Sequence, residues 1–202
     1  MSNDVVIIKT GLANVASLRA GLSRIGAEVT LSDDAEVIKN ATRVVLPGVG
    51  AFGAGMSLLR EKNLDVVLRE RIKNQQPTLA ICLGLQLLCE SSEESPGVVG
   101  LGILPIKVKR FSTPVVVPQI GWNEVLPDSN CRLIPKAEMY FANSYCLPAA
   151  PQGWNVATAN HGEEFIAAVE REAVLGCQFH AELSSSAGAK LLKNWFEKGA
   201  KC

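Results

Sequence analysis

Thr78-Leu79-Ala80-Ile81-Cys82-Leu83-Gly84-Leu85-Gln86 is the stretch on which the fold of this chain turns. An apolar run ends in a cysteine, a glycine follows two residues later, and one polar residue, Gln86, stands four positions past the cysteine. A strand that turns sharply into a helix produces this pattern, with Cys82 at the corner. Such a corner lifts a nucleophile out of a sheet and sets it at a helix N-terminus, where a thiolate or an oxyanion is stabilised. Gly84 is expected to let the backbone turn tightly where a side chain would clash. Gln86 falls about one helical turn on, shares the face of Cys82 and is placed to touch a bound substrate. The same residues have a plainer reading, because free cysteine is among the most buried residue types and often acts as a small hydrophobe. The rest of the chain decides between the two.

Working outward, Val5-Val6-Ile7-Ile8 reads as a buried strand. Residues 14–26 place Val15, Leu18, Leu22 and Ile25 at three- and four-residue spacing, which predicts a helix stopped by Gly26. Residues 28–31 read as a short strand, and a short helix follows with Ser32 as its expected N-cap ahead of Asp33 and Asp34. Val44-Val45-Leu46 is a third strand, ending at the loop Pro47-Gly48-Val49-Gly50. A helical region over 55–73 precedes the strand that ends at Cys82. Strands alternating with helices imply parallel pairing and right-handed crossovers. Ligands of such sheets bind beyond the carboxyl ends of the strands, so the Pro47–Gly50 loop and Cys82 face one crevice. The second half differs: residues 106–109 alternate, and 115–125, 140–147, 155–159, 165–169 and 174–180 read as strands separated by Pro, Gly and Asn. Ser184-Ser185-Ser186 is expected to cap a last helix whose apolar face is Leu191, Leu192, Trp195 and Phe196. The expectation is one α/β domain over residues 1–202, its second half rich in antiparallel strands.

Composition narrows the function. Twenty basic and twenty acidic residues cancel, with no basic block to suggest nucleic acid. No apolar stretch approaches the roughly 20 residues of a membrane span, and the first residues lack the plan of a secretory signal, so a cytoplasmic protein is the expectation. The six cysteines, at 82, 89, 131, 146, 177 and 202, form no Cys-x-x-Cys pair, which argues for reduced thiols and against a metal site. Only His161 and His180 are available to a Cys–His machinery.

His180-Ala181-Glu182 follows an apolar strand. Residues two apart on an extended segment share a face, and a carboxylate beside an imidazole fixes its tautomer and favours its protonated form. Alone, this is the pattern of a surface histidine near a solvated glutamate. Beside an elbow cysteine it becomes nucleophile, base and orienter in the order Cys82, His180, Glu182. His161, within Asn160-His161-Gly162-Glu163, reads as a turn residue.

At these residues the chain resembles the class I (triad) glutamine amidotransferases, and within them the glutaminase subunits of imidazole glycerol phosphate synthases. The segments that carry the resemblance run nearly end to end. They are Gly11-Leu12-Ala13-Asn14, Leu46-Pro47-Gly48-Val49-Gly50, Ile81-Cys82-Leu83-Gly84-Leu85-Gln86, Ser92-Glu93-Glu94-Ser95, Gly121-Trp122-Asn123, Tyr140-Phe141, Ser144-Tyr145, Gln178-Phe179-His180-Ala181-Glu182 and residues 188–194. The resemblance implies a three-layer fold and a reaction needing no cofactor or metal. Cys82 attacks the side-chain amide of L-glutamine, His180 shuttles the proton, and Glu182 orients His180. Backbone N–H groups near Val49 and Leu83 would form the oxyanion hole, the Pro47–Gly50 loop rearranging first. Gly50, Gln86, Ser144 and Tyr145 would hold the substrate. The implied partner is a (β/α)8-barrel cyclase that receives the ammonia, with Asn14 and Trp122 at the contact; outside this resemblance they read as a helix N-cap and a core aromatic. Two other readings use the same residues: a catalytically weak scaffold of this fold, and another cysteine-dependent hydrolase.

The chain departs from the family pattern at six positions. Lys9 stands for a common Asp, Ala80 for a Gly, Gln119 and Asn143 each for a His, Ala181 for a Pro and Leu183 for a basic residue. None is a member of the triad. Ala80 is expected to be tolerated, with a normal elbow.

Overall fold

Alternation along a strand sends neighbouring side chains to opposite faces, and the first strand shows how this builds the core. In β1 (Asp4–Ile8), Val5 and Ile7 join one apolar cluster while Val6 and Ile8 join another. A strand buried on both faces is an unbroken apolar run, which is why periodicity alone located it. The computed structural model describes residues 3–11, 15–112 and 114–198.

The first half continues with α1 (Val15–Arg24), β2 (Glu28–Ser32), α2 (Ala35–Asn40), β3 (Val44–Leu46), α3 (Phe52–Glu61), α4 (Leu64–Lys73), β4 (Thr78–Ile81) and the short α5 (Leu83–Leu87). A small sheet begins with β5 (Cys89–Ser92) and β6 (Leu104–Arg110). The second half holds β7 (Gln119–Pro127), β8 (Ala137–Asn143), β9 (Tyr145–Cys146), β10 (Asn155–Asn160), β11 (Glu164–Arg171) and β12 (Val174–Cys177). A 3₁₀ turn (Ala181–Leu183) then leads into α6 (Ser185–Lys198).

Nine strands form the main sheet in the order β2-β1-β3-β4-β12-β11-β10-β7-β8, and β5-β6-β9 form the small one. From β2 to β12 every pairing is parallel; from β12 onward every pairing is antiparallel. One face of the parallel half packs on α1 and α6 through Leu18, Leu22, Leu191, Leu192 and Trp195. The other packs on α3, α4 and α5 through Phe52, Met56, Leu68, Ile72 and Leu85. The three-layer α/β architecture expected from the sequence is thus borne out.

Several boundaries are corrected. The helix expected over 55–73 is two helices, broken at Asn63, whose φ of 56° is left-handed. The short α2 is capped by Asp34, whose carboxylate accepts from the N–H groups of Glu36 and Val37; Ser32 ends β2, and its hydroxyl accepts from the Asp34 N–H. The strand expected from 115 begins only at Gln119. The run 140–147 breaks at Ser144, between β8 and β9. Ser184 precedes α6 but does not cap it with its side chain, which donates to the His180 carbonyl and accepts from the Tyr140 N–H. Among the described residues no helix is long and apolar enough to cross a membrane.

Candidate active site

Cys82 sits between β4 and α5 with φ 53° and ψ −111°, a strained conformation for a residue with a side chain. Its own N–H is tied to the Cys177 carbonyl on neighbouring β12 at 2.7 Å, which holds the corner against the sheet. Gly84 is needed here for a different reason from the one expected. Its φ is not positive; a Cβ at this position would overlap the Leu46 carbonyl oxygen, so the elbow packs directly on the end of β3. Three strand ends, those of β3, β4 and β12, therefore meet around the cysteine by close backbone approach.

β12 runs parallel to β4, with Cys177 beside Ile81, so the chain leaving it arrives next to the elbow. Three residues on is His180, whose ring lines the same cleft as Cys82. Its Nδ1 lies 2.8 Å from Glu182 Oε1. The pair does not meet along an extended strand as expected: residues 181–183 form a 3₁₀ turn, and Glu182 reaches back across it. Both side chains are buried. Burial alone would push the imidazole down, but hydrogen bonds and negative charge from Cys82 and Glu182 outweigh it and push His180 up to about 10. The site thus holds a charged ring beside the sulfur.

A cleft of about 330 Å³ opens over this group. Val49, Gly50, Leu83, Gln86, Ser144 and Tyr145 line it with Cys82 and His180, so six further residues singled out in the sequence converge on it. Gln86 has both its amide hydrogens engaged within the protein, on the Tyr145 carbonyl at 3.2 Å and on Gln178 Oε1 at 2.9 Å. Only its carbonyl oxygen is left for a ligand. The Leu83 N–H, expected in the oxyanion hole, donates to the Gly48 carbonyl at 3.2 Å in this conformation. Gly50 has a φ of 102°, a glycine conformation, within the loop that would have to shift to release that donor.

Glu94, Pro118, Ala142 and Asn143 complete the lining. Glu94 was quoted within a motif but given no role. Its Oε2 accepts from the Phe52 N–H at 2.6 Å, which anchors its carboxylate at the start of α3. The available signal was the acidic pair flanked by serines after the elbow helix. Asn143 faces Gln119 in register across β7 and β8, so two departures from the family pattern form one buried pair. Asn143 donates to the Tyr145 carbonyl at 3.0 Å.

The other expected residues fall elsewhere. His161 lies in a turn, its Nε2 2.8 Å from the Val116 carbonyl and its ring edge-on to Phe111. Asn14 lies outside the described residues. Trp122 is not a core aromatic: it is 52% exposed on the outer face of β7, against Tyr140 of β8. Ile120 on the same face is also exposed, as is Leu183 in the turn that follows His180. Burial pushes the thiols of Cys89 and Cys177 upward, and burial with nearby carboxylates pushes Cys131 and Cys146 up to about 12. Among the described residues no group of His, Cys, Asp or Glu could hold a metal ion.

An elbow cysteine beside a buried histidine and its hydrogen-bonded glutamate, at the carboxyl end of a doubly covered sheet, is the arrangement that acyl transfer through a cysteine nucleophile calls for. A family model, glutamine amidotransferase class-I, matches residues 6–198. The chain belongs to the class I glutamine amidotransferases. It is 43% identical over 201 residues to the imidazole glycerol phosphate synthase subunit HisH of Escherichia coli K12, covering 96% of this chain and 99% of that one. The subunit of the same name from Salmonella typhimurium LT2 is 41% identical over the same shares. In fold the chain is similar to a glutamine amidotransferase crystal structure, with TM-score 0.77, 19% identity and coverage of 98% of this chain and 99% of that one. A glutamine amidotransferase from Thermotoga maritima superposes with TM-score 0.70 at 14% identity, covering 98% of each chain.

Proposed function

We propose that residues 1–202 act as one cytoplasmic glutaminase unit that hydrolyses L-glutamine and hands the ammonia to a cyclase subunit of imidazole glycerol phosphate synthase. The observation that carries the chemistry is Cys82 grouped with the hydrogen-bonded pair His180–Glu182 at a cleft sized for an amino acid. The cysteine thiolate attacks the side-chain amide carbon, and the protonated His180 delivers its proton to the departing nitrogen. Water then enters with His180 as base, and the thioester is cleaved to glutamate. Glu182 stabilises the charged ring and fixes which nitrogen faces the sulfur. Glu94 supplies a carboxylate for the substrate α-ammonium, while Gly50, Gln86, Ser144 and Tyr145 bound the rest of the molecule. Val49 and Leu83 would furnish the oxyanion donors, each such donor contributing roughly 2.7–4 kcal/mol to the transition state.

Two features support control by a partner. The Leu83 N–H is engaged by Gly48, so the hole is not assembled in the isolated chain. Trp122, Ile120 and Leu183 are exposed apolar side chains that a (β/α)8-barrel cyclase would cover. Ammonia released into neutral water would be protonated and lose its nucleophilicity, so a covered path gives the product its use. In the cyclase it would be built into imidazole glycerol phosphate, with an aminoimidazole carboxamide ribotide as the other product.

The test is glutamate release from glutamine by the chain alone and with its cyclase partner plus that partner's nucleotide ligand, with Cys82→Ala as control. Strong release in the loaded complex, abolished by the substitution, is the expected result. A demonstrated complex that releases no glutamate under any condition would leave a scaffold role in its place.

A further inference from the structure

Cys82 Sγ has an N–H donor beside it that the triad does not include. Gln178 leaves β12 two residues before His180, and its side chain is fully buried. Its Nε2 lies 3.6 Å from Cys82 Sγ. Its Oε1 accepts from Gln86 Nε2 at 2.9 Å, and Gln86 Nε2 also donates to the Tyr145 carbonyl at 3.2 Å. These contacts fix which end of the Gln178 amide faces the sulfur. Turned over, the amide would set its NH₂ group against the NH₂ group of Gln86 and its carbonyl oxygen against Sγ, replacing two bonds with two repulsions.

We propose that Gln178 is a further catalytic residue, an amide donor that favours Cys82 as thiolate, with Gln86 as its positioning residue. A neutral thiol is a weak acceptor and a thiolate a strong one, so a donor fixed on the sulfur favours the charged form. The elbow needs such a group. The helix that follows Cys82 has only five residues, which leaves little macrodipole to do the same work. The bond also changes along the reaction. In acylation the sulfur electron pair forms the S–C bond, the carbonyl π pair moves to oxygen, and the C–N bond breaks on collapse with the nitrogen taking the His180 proton. The donor then faces a neutral thioester sulfur. In deacylation water gives a proton to His180 and its oxygen bonds the carbonyl carbon; the S–C bond breaks, and the returning charge on sulfur is met again by Gln178. One amide therefore favours both the attacking and the leaving thiolate.

The role rests on the glutaminase reading for its chemistry, but it is tested without glutamine or a partner. The probe is iodoacetamide, with alkylation of the Cys82 peptide followed by mass spectrometry from about pH 5 to about pH 9. Gln178→Met keeps the length and removes the donor. The expected result is alkylation slowed about tenfold at the acidic end and converging with wild type at the alkaline end, as for one lost hydrogen bond to a charged group. Gln178→Glu, which sets a carboxylate against the sulfur, is expected to slow it further. Gln86→Met, which frees the Gln178 amide to rotate, is expected to give the same pH pattern with a loss of about two- to threefold. A Gln178→Met protein that keeps the wild-type melting temperature and an unchanged alkylation profile would overturn the proposal. Should that variant not fold, an unchanged profile in Gln86→Met would do so. Loss of the alkylation effect with glutamate release intact refutes the role of Gln178 alone; the alkylation effect without glutamate release refutes the glutaminase reading alone.

Discussion

The parallel half of the sheet carries Cys82, His180 and Glu182, whereas the antiparallel half supplies a wall of the cleft that Cys82 and His180 line. Cys82 follows β4, and His180 and Glu182 follow β12, its parallel neighbour. Asn143, Ser144 and Tyr145 come instead from the break between β8 and β9. The first half is covered on both faces, and its strand ends are held by backbone contacts so close that a methyl group at Gly84 would overlap Leu46. In the second half β7 turns one face to the core and leaves Ile120, Trp122 and Leu126 exposed. Such a division separates chemistry, which needs fixed geometry, from recognition, which meets substrate and partner. Substitutions in the first half should therefore act on kcat or folding, and those at the cleft wall on KM.

The largest expected effect tests the first half of that statement. Cys82→Ala should lower glutamate release by at least about 10³-fold with the fold intact by circular dichroism. A residual rate within tenfold of wild type would place the chemistry elsewhere. Gly84→Ala should come next. Overpacking against Leu46 should lower stability by about 1–3 kcal/mol, read as a reduced denaturation midpoint in urea, with activity lost in proportion as the elbow shifts. A variant of unchanged midpoint would mean that the approach of β3 to the elbow is not tight.

Glu94→Gln examines the cleft wall. An amide keeps the acceptor but loses the charge opposite an α-ammonium, so KM should rise about 10- to 100-fold while kcat changes little. An equal fall in kcat at unchanged KM would assign Glu94 to the reacting half and blur the comparison.

The charge on His180 gives a pH test whose sign follows from linkage. Its ring titrates at about 10 in the folded chain against an ordinary value of 6.5. The raised value means that the protonated ring stabilises the fold fully below about 6.5, and that this contribution is lost as pH rises through about 10. The gap in melting temperature between wild type and His180→Asn should narrow across that window. Glutamate release should fall along the same alkaline limb, since the ring must carry the proton that leaves with ammonia. A gap that stays constant through the window would show that the ring is not held charged.

How much of this was legible in the sequence follows the same division. In the parallel half, burial on both faces writes apolar runs such as Val5–Ile8 and Val44–Leu46, and these located the strands within a residue or two. The grouping of Cys82, His180 and Glu182 was legible because all three follow strand ends, where topology brings them together. The antiparallel half was read less well. Val115, Val116 and Val117 look like strand residues but precede the strand that begins at Gln119, and Val116 is largely exposed. Trp122 likewise has core chemistry and a surface position. The Gln86–Gln178 contact spans 92 positions of sequence, and no local pattern announces a pairing of that range. The helix break at Asn63 was hidden because apolar spacing continues on both sides of it, through Leu59 and Leu64.

The smallest expected effect concerns the departure nearest the nucleophile. Ala80 is fully buried in β4, opposite Leu46 of β3 and Gly176 of β12. Side chains in register point to the same face, so the missing side chain of Gly176 leaves room on that face, which Leu85 partly fills: a Cβ at Gly176 would come within 2.6 Å of Leu85 Cδ1. The Ala80 methyl is thus one part of a filled layer with Leu46, Leu83 and Leu85. Replacing it by hydrogen should open a methyl-sized void and loosen the strand, at a cost of about 1 kcal/mol in stability. The elbow itself is held by the Cys82 N–H to Cys177 and by Gly84 on Leu46, and neither contact involves the methyl. Ala80→Gly should therefore lower the denaturation midpoint slightly and change glutamate release by less than about threefold. A large gain in rate with the partner present would show instead that this methyl strains the elbow, and that the fixed half of the molecule is less well adjusted than its packing implies.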